Sequence, residues 1–166
     1  MKALGGHSRR IRRLRPGTRV IATGPFGALT AARRTRPKVL LIAGGVGITP
    51  MRALFETLPG GPGEITLLYR AGAEEHLVLR SELEAIAAER QAGLHYLLGP
   101  SDAWGHLPAV AGGDPLAPQA LLALVPDLAG HDVYLCGPPG MAEATQSALL
   151  RAGVPAARIH SECFSF

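Results

Sequence analysis

Apolar residues along the chain fall into short runs separated by glycine, proline and polar turns, and the spacing inside each run alternates between two periods. Val39-Leu40-Leu41-Ile42-Ala43 is an unbroken β-prone run of the kind buried on both faces of a parallel sheet. Residues 50–58 then recur at helical spacing, and residues 64–69 form a second apolar strand. Residues 77–90 put Leu79, Leu83, Ile86 and Ala87 on one helical stripe. Residues 94–98 predict a third strand, 116–125 a helix, 132–136 a fourth strand, 140–152 a helix and 158–160 a short last strand. Strand and helix alternate throughout. The expected fold is therefore α/β, a doubly wound, five-stranded parallel sheet with right-handed crossovers, whose ligands lie beyond the carboxyl ends of the strands. Ahead of it, residues 19–23 read as one more strand, closed by the turn Gly24-Pro25-Phe26-Gly27.

Composition narrows the class. At 166 residues and 47% hydrophobic content the chain can bury one ordinary core and has little room for two. Its 21 glycines and 14 prolines are scattered without a short period, which excludes a collagen-like chain. No charge-free apolar stretch reaches the ~18 residues of a bilayer span. Two cysteines, Cys136 and Cys163, are too few for a disulfide framework and show no zinc-like spacing, so no metal site is expected and a cytoplasmic, reducing location is.

The net charge of +4 hides a division. Residues 1–38 hold 11 of the 17 basic residues and no acidic one, whereas the remainder carries six basic against thirteen acidic residues, net −7. The boundary implied is a basic segment at 1–37 followed by a domain at 38–166. Phe26 is the only aromatic residue of the basic segment and no nucleic-acid module is recognisable there, so no nucleic-acid partner is expected.

Two glycine-rich turns follow strands and open helices. In Gly44-Gly45-Val46-Gly47-Ile48-Thr49-Pro50 the glycines remove the Cβ atoms that would hold a ligand away. Thr49 suits an N-cap and Pro50 a first helical position, and a helix N-terminus favours a phosphate. The second turn is Cys136-Gly137-Pro138-Pro139-Gly140-Met141. Neither a Gly-x-Ser-x-Gly elbow nor a phosphate-binding Gly-Lys-Ser/Thr loop is present, and no histidine adjoins Cys136 in sequence, which leaves hydrolase chemistry without support.

With these turns go Leu67-Leu68-Tyr69, Leu79-Arg80-Ser81-Glu82-Leu83 and the ending Glu162-Cys163-Phe164-Ser165-Phe166. In order and spacing the set resembles the nucleotide-binding half of the ferredoxin reductase family, which includes cytochrome b5 reductases, oxygenase reductases and the cytoplasmic parts of ferric reductases and NADPH oxidases. The resemblance implies an NAD(P)H-dependent flavin oxidoreductase that passes electrons to haem, an iron-sulfur protein or ferric iron. It implies that Gly44, Gly45, Gly47, Thr49 and Pro50 carry the pyrophosphate and ribose. Cys136 and Gly137 would border the nicotinamide, with Pro138 and Met141 among the cofactor-binding residues, Glu162 the nearby acid and Phe166 the aromatic that covers the flavin. In such enzymes hydride transfer needs two rings held stacked with water kept out, and a small Cys136 allows that approach.

The family builds its FAD site in a preceding barrel. Here only Pro16-Gly17-Thr18-Arg19-Val20 and Gly24-Pro25-Phe26-Gly27 resemble that barrel, as its last strand and exit turn, so the basic segment is expected to be its remnant. FAD is accordingly expected in a full-length protein, with a flavin-binding domain or subunit as partner, and membrane attachment would depend on what precedes this chain. Arg70, at the end of the second strand, tips the expected nucleotide towards NADPH. The family's usual selectivity position holds Gly99-Pro100-Ser101-Asp102 and matches neither of its patterns. The competing reading is a stand-alone NAD(P)-binding regulatory module without flavin chemistry. Trp104 reads as a loop anchor, and the histidines show no ligand spacing.

Overall fold

A computed structural model describes residues 10–21, 23, 27–99 and 114–164. From Val39 on, the described residues alternate between strand and helix: β1 (Val39–Gly44), α1 (Ile48–Thr57), β2 (Ile65–Ala71), α2 (Arg80–Arg90), β3 (Gly93–Leu98), α3 (Pro118–Leu124), β4 (Asp132–Gly137), α4 (Pro139–Arg151) and β5 (Ile159–Cys163). The sheet order is β3-β2-β1-β4-β5 with every pairing parallel. The chain therefore starts in the middle, winds out to one edge, returns past β1 and winds out to the other. The switch in direction falls between β1 and β4, where a crevice opens outside the carboxyl ends.

Strand alternation sorts the core into two layers. Leu41, Ala43, Leu67, Tyr69, Tyr134 and Cys136 face α1 and α2, joining Met51, Phe55, Leu83 and Ile86. Leu40, Ile42, Leu68, Val133 and Leu135 face the opposite side with Leu121, Met141, Ala148 and Leu149. Both faces of β1 are covered, which is why all six of its residues are buried and why its sequence shows no alternation.

Three sequence expectations need correction. The helix predicted from residue 77 begins at Arg80. The residues before it form a 3-10 turn (Glu74–His76), and Leu79 stands outside the helix at φ 62 while its carbonyl accepts the Leu83 N–H at 2.9 Å. The last strand extends to Cys163 because its parallel ladder with β4 continues through Cys136↔Glu162 and Gly137↔Cys163. Arg19, Val20, Ile21 and Thr23, expected in a strand, lie in none, and Ile21 is 96% exposed. A strand without a neighbour leaves its backbone donors and acceptors to water and has no stability of its own.

Among the described residues no helix is long and apolar enough to cross a membrane, and no group of three or more His, Cys, Asp or Glu is placed to hold a metal ion.

Candidate functional site

The two glycine-rich turns meet at the β1/β4 switch point. After β1 the chain makes a 3-10 turn, Gly45–Gly47, and runs directly into α1, with the Ile48 N–H closing onto the carbonyls of Gly45 and Val46. Gly45 adopts φ +52, a left-handed conformation costly for any residue with a Cβ, and a Cβ built there meets nothing within 4 Å. Bare backbone thus faces open space. Gly47 has the opposite reason: a Cβ there would collide with the carbonyl of Cys136. Close approach of two backbones requires glycine at 47, and this contact holds the start of α1 against the end of β4.

Thr49 does not cap the helix as expected. The helix begins two residues earlier, at Ile48, with Gly47 in the capping position, and the Thr49 hydroxyl turns back to donate to the Val46 carbonyl at 2.6 Å. Its side chain therefore braces the glycine turn from within the first helical turn, where Pro50 also lies, at no cost in hydrogen bonding.

Gly137 ends β4, and Pro138 and Pro139 start α4 with Pro139 as its first residue. Met141 lies beneath both turns, 3% exposed, with its thioether against Gly44 and Gly137. It supports the rim from the core side. The Cys136 thiol is fully buried among core residues on the α1 face. Burial, then the neighbouring Glu162 carboxylate, push it up to about 12, so it is a neutral thiol and not a thiolate nucleophile. Glu162 stands beside Cys136 in register on β5, and its carboxylate accepts the backbone N–H of Ala28.

Arg70 ends at the same rim but does not reach out. It is 6% exposed, and its guanidinium donates to the carbonyls of Ala71 and Leu97, closing the carboxyl ends of β2 and β3. Burial lowers its pKa and Asp114 opposes that shift. The structure therefore brings together Gly44, Gly45, Gly47, Thr49, Pro50, Cys136, Gly137, Pro138 and Glu162 at the switch point, and gives Arg70 and Met141 supporting places around it. Phe166, Trp104, the turn residues Gly24, Pro25 and Phe26, and Pro100, Ser101 and Asp102 lie outside the described residues.

Residues 41–147 match the sequence profile of the oxidoreductase NAD-binding domain. The chain belongs to that family. NADH-cytochrome b5 reductase 1 of Cryptococcus neoformans var. neoformans serotype D is 29% identical over 163 residues, covering 93% of this chain and 55% of the relative. Among solved structures, the cytochrome b5 reductase domain of Ulva prolifera nitrate reductase is 25% identical with a TM-score of 0.68, covering 96% of this chain and 66% of that one. The flavohem-like FAD/NAD-binding domain of nitric oxide dioxygenase from Vibrio cholerae O1 biovar El Tor is 28% identical with a TM-score of 0.58, covering 79% of this chain and 52% of that one. The chain thus spans a little over half the length of the cytochrome b5 reductase it matches. The tie from Ala28 to Glu162 joins residues 134 apart, so no local pattern along the chain signals it.

Proposed function

We propose that this NAD-binding domain presents NADH for hydride transfer to a flavin held by a preceding part of the reductase, from which electrons pass singly to a haem or iron-sulfur acceptor. The observation that carries this reading is the meeting of Gly47 with the Cys136 carbonyl, beside a Gly45 whose front is open. A pyrophosphate fits the Gly45–Gly47 turn, where the backbone is bare and the leading end of α1 favours negative charge. A nicotinamide fits the Cys136–Gly137 end, where the Cys136 thiol is neutral and small. Bound FAD would supply the acceptor for the hydride. This chain's part is to hold the dihydronicotinamide flat and exclude water, which demands no strong acid or base.

NADH rather than NADPH is favoured by two observations. The Arg70 guanidinium is committed to the carbonyls of Ala71 and Leu97, and the matched Cryptococcus relative is named for NADH. Isothermal titration of the chain with NADH and NADPH tests both levels of the reading. Binding of NADH with weaker binding of NADPH is expected. No uptake of either at millimolar concentration would overturn the site, and tighter NADPH binding would overturn the preference alone.

A further inference from the structure

On the α1 face, β4 and β5 place polar and aromatic side chains at alternate positions: Asp132 and Tyr134 below Cys136, and His160 below Glu162. The Asp132 carboxylate is wholly buried. It accepts the Thr35 N–H at 2.5 Å, the Arg36 N–H at 2.6 Å and the Thr35 hydroxyl at 3.1 Å. Tyr134 donates its hydroxyl to the Thr30 carbonyl at 3.0 Å, with its ring 4.8 Å from the His160 imidazole. Glu162 takes the Ala28 N–H at the upper end, and Leu29 packs against the core between these ties.

Residues 28–36 form only a single 3-10 turn (Ala31–Arg33), which pairs the N–H groups of Thr30, Arg33 and Arg34 within the segment; the sheet accepts those of Ala28, Thr35 and Arg36. The order of the ties gives the segment a direction. Ala28 is held level with Cys136, Thr30 with Tyr134, and Thr35 and Arg36 with Asp132, so the chain enters at the ligand rim and descends antiparallel to β4 before β1 begins. An unpaired buried carboxylate is costly; the docked segment gives Asp132 its hydrogen bonds, whereas the His160 Nε2, at 3.8 Å, lies beyond hydrogen-bond distance.

We propose that Asp132 and Tyr134 are positioning residues that dock residues 28–36 on the sheet, so that the chain preceding Ala28 is delivered beside the Cys136 end of the site. This rests on the function proposed above, since delivery matters because the flavin partner must meet the nicotinamide there.

The test uses the chain with Ala31→Cys, spin-labelled there and at the exposed native Cys163, while buried Cys136 stays unlabelled. A single narrow distance distribution is expected. In Asp132→Ala and in Tyr134→Phe the distribution should broaden and amide exchange at Thr35 and Arg36 should accelerate at least tenfold, with Asp132→Asn restoring most of both. Protection of the Leu41 amide in β1 and the NADH dissociation constant should each stay within twofold of the parent. A distribution that stays narrow in the Asp132→Ala/Tyr134→Phe double variant, or Leu41 protection that falls in step with Thr35, would overturn the proposal. Failure of the parent chain to bind NADH would instead refute the proposed function, leaving the distance measurement to decide the docking.

Discussion

The α-carbon of Gly47 lies so close to the carbonyl of Cys136 that no side chain can stand between them. Two segments almost ninety residues apart thus share one backbone contact, and it is this contact that turns two separate glycine turns into one rim.

Gly47→Ala should accordingly destabilise the domain by about 1–3 kcal/mol, because the new methyl meets a rigid carbonyl and the first turn of α1 must move. Gly45→Ala should cost about 1–2 kcal/mol through its left-handed backbone alone, since open space lies in front of it. Denaturant unfolding measures both costs. In nucleotide titration each variant should bind NADH at least tenfold more weakly, and unchanged affinity in both would place the ligand elsewhere.

The two cysteines should differ sharply in reactivity. Iodoacetamide at pH 8 should modify exposed Cys163 and leave Cys136 unmodified until the protein is unfolded. Mass mapping of the alkylated peptides reads this directly, and rapid labelling of Cys136 in the native state would contradict its burial.

Stability should fall on both sides of neutrality. The Cys136 thiol titrates at about 12 when folded against 9.0 unperturbed, so above pH 9 the unfolded chain releases a proton that the folded one keeps, and stability declines as pH rises. Burial also raises Tyr69, Tyr96 and Tyr134, extending the decline beyond pH 10. On the acid side, burial lowers His131, so below pH 6.5 the unfolded state binds the extra proton and stability is lost as pH falls. Urea midpoints from pH 5 to pH 11 should trace a dome, and a midpoint still rising above pH 9 would show that the alkaline contribution is wrong.

Arg70→Ala should act on the sheet rather than on nucleotide choice. It removes donors from the carbonyls of Ala71 and Leu97 at a buried edge, at about 1–3 kcal/mol. The ratio of NADH to NADPH affinity should stay within twofold. A selective loss of NADPH binding would restore to Arg70 the 2′-phosphate role that its sequence position suggests.

Much of this molecule is legible along the chain. The unbroken run at Val39–Ala43 announces a strand covered on both faces, and the glycines at 44, 45 and 47 announce a turn that must come close to something. The helical stripe of Leu83 and Ile86 points into the core as its spacing requires. Arg70 illustrates the limit. Its position at the end of β2 is readable, but the carbonyl of Leu97 that draws it inward belongs to β3, and only the register Arg70↔Leu97 brings the two together. Val20 and Ile21 mislead in the other direction, because strand-like residues form a strand only where another strand offers its edge.

Local spacing and residue chemistry by themselves determined the alternating elements, the parallel sheet and the two glycine turns that follow strands, whereas the fold joined those turns into one rim and buried the cysteine at its border. Tertiary structure alone decided what lies across from what: Glu162 against Ala28, Tyr134 against Thr30 and Asp132 against Thr35, pairs 134, 104 and 97 residues apart. Period and propensity act over a few residues and carry no record of such distances. A buried carboxylate or an irregular backbone finds its partner only when the folded sheet has removed water from both and left them no other.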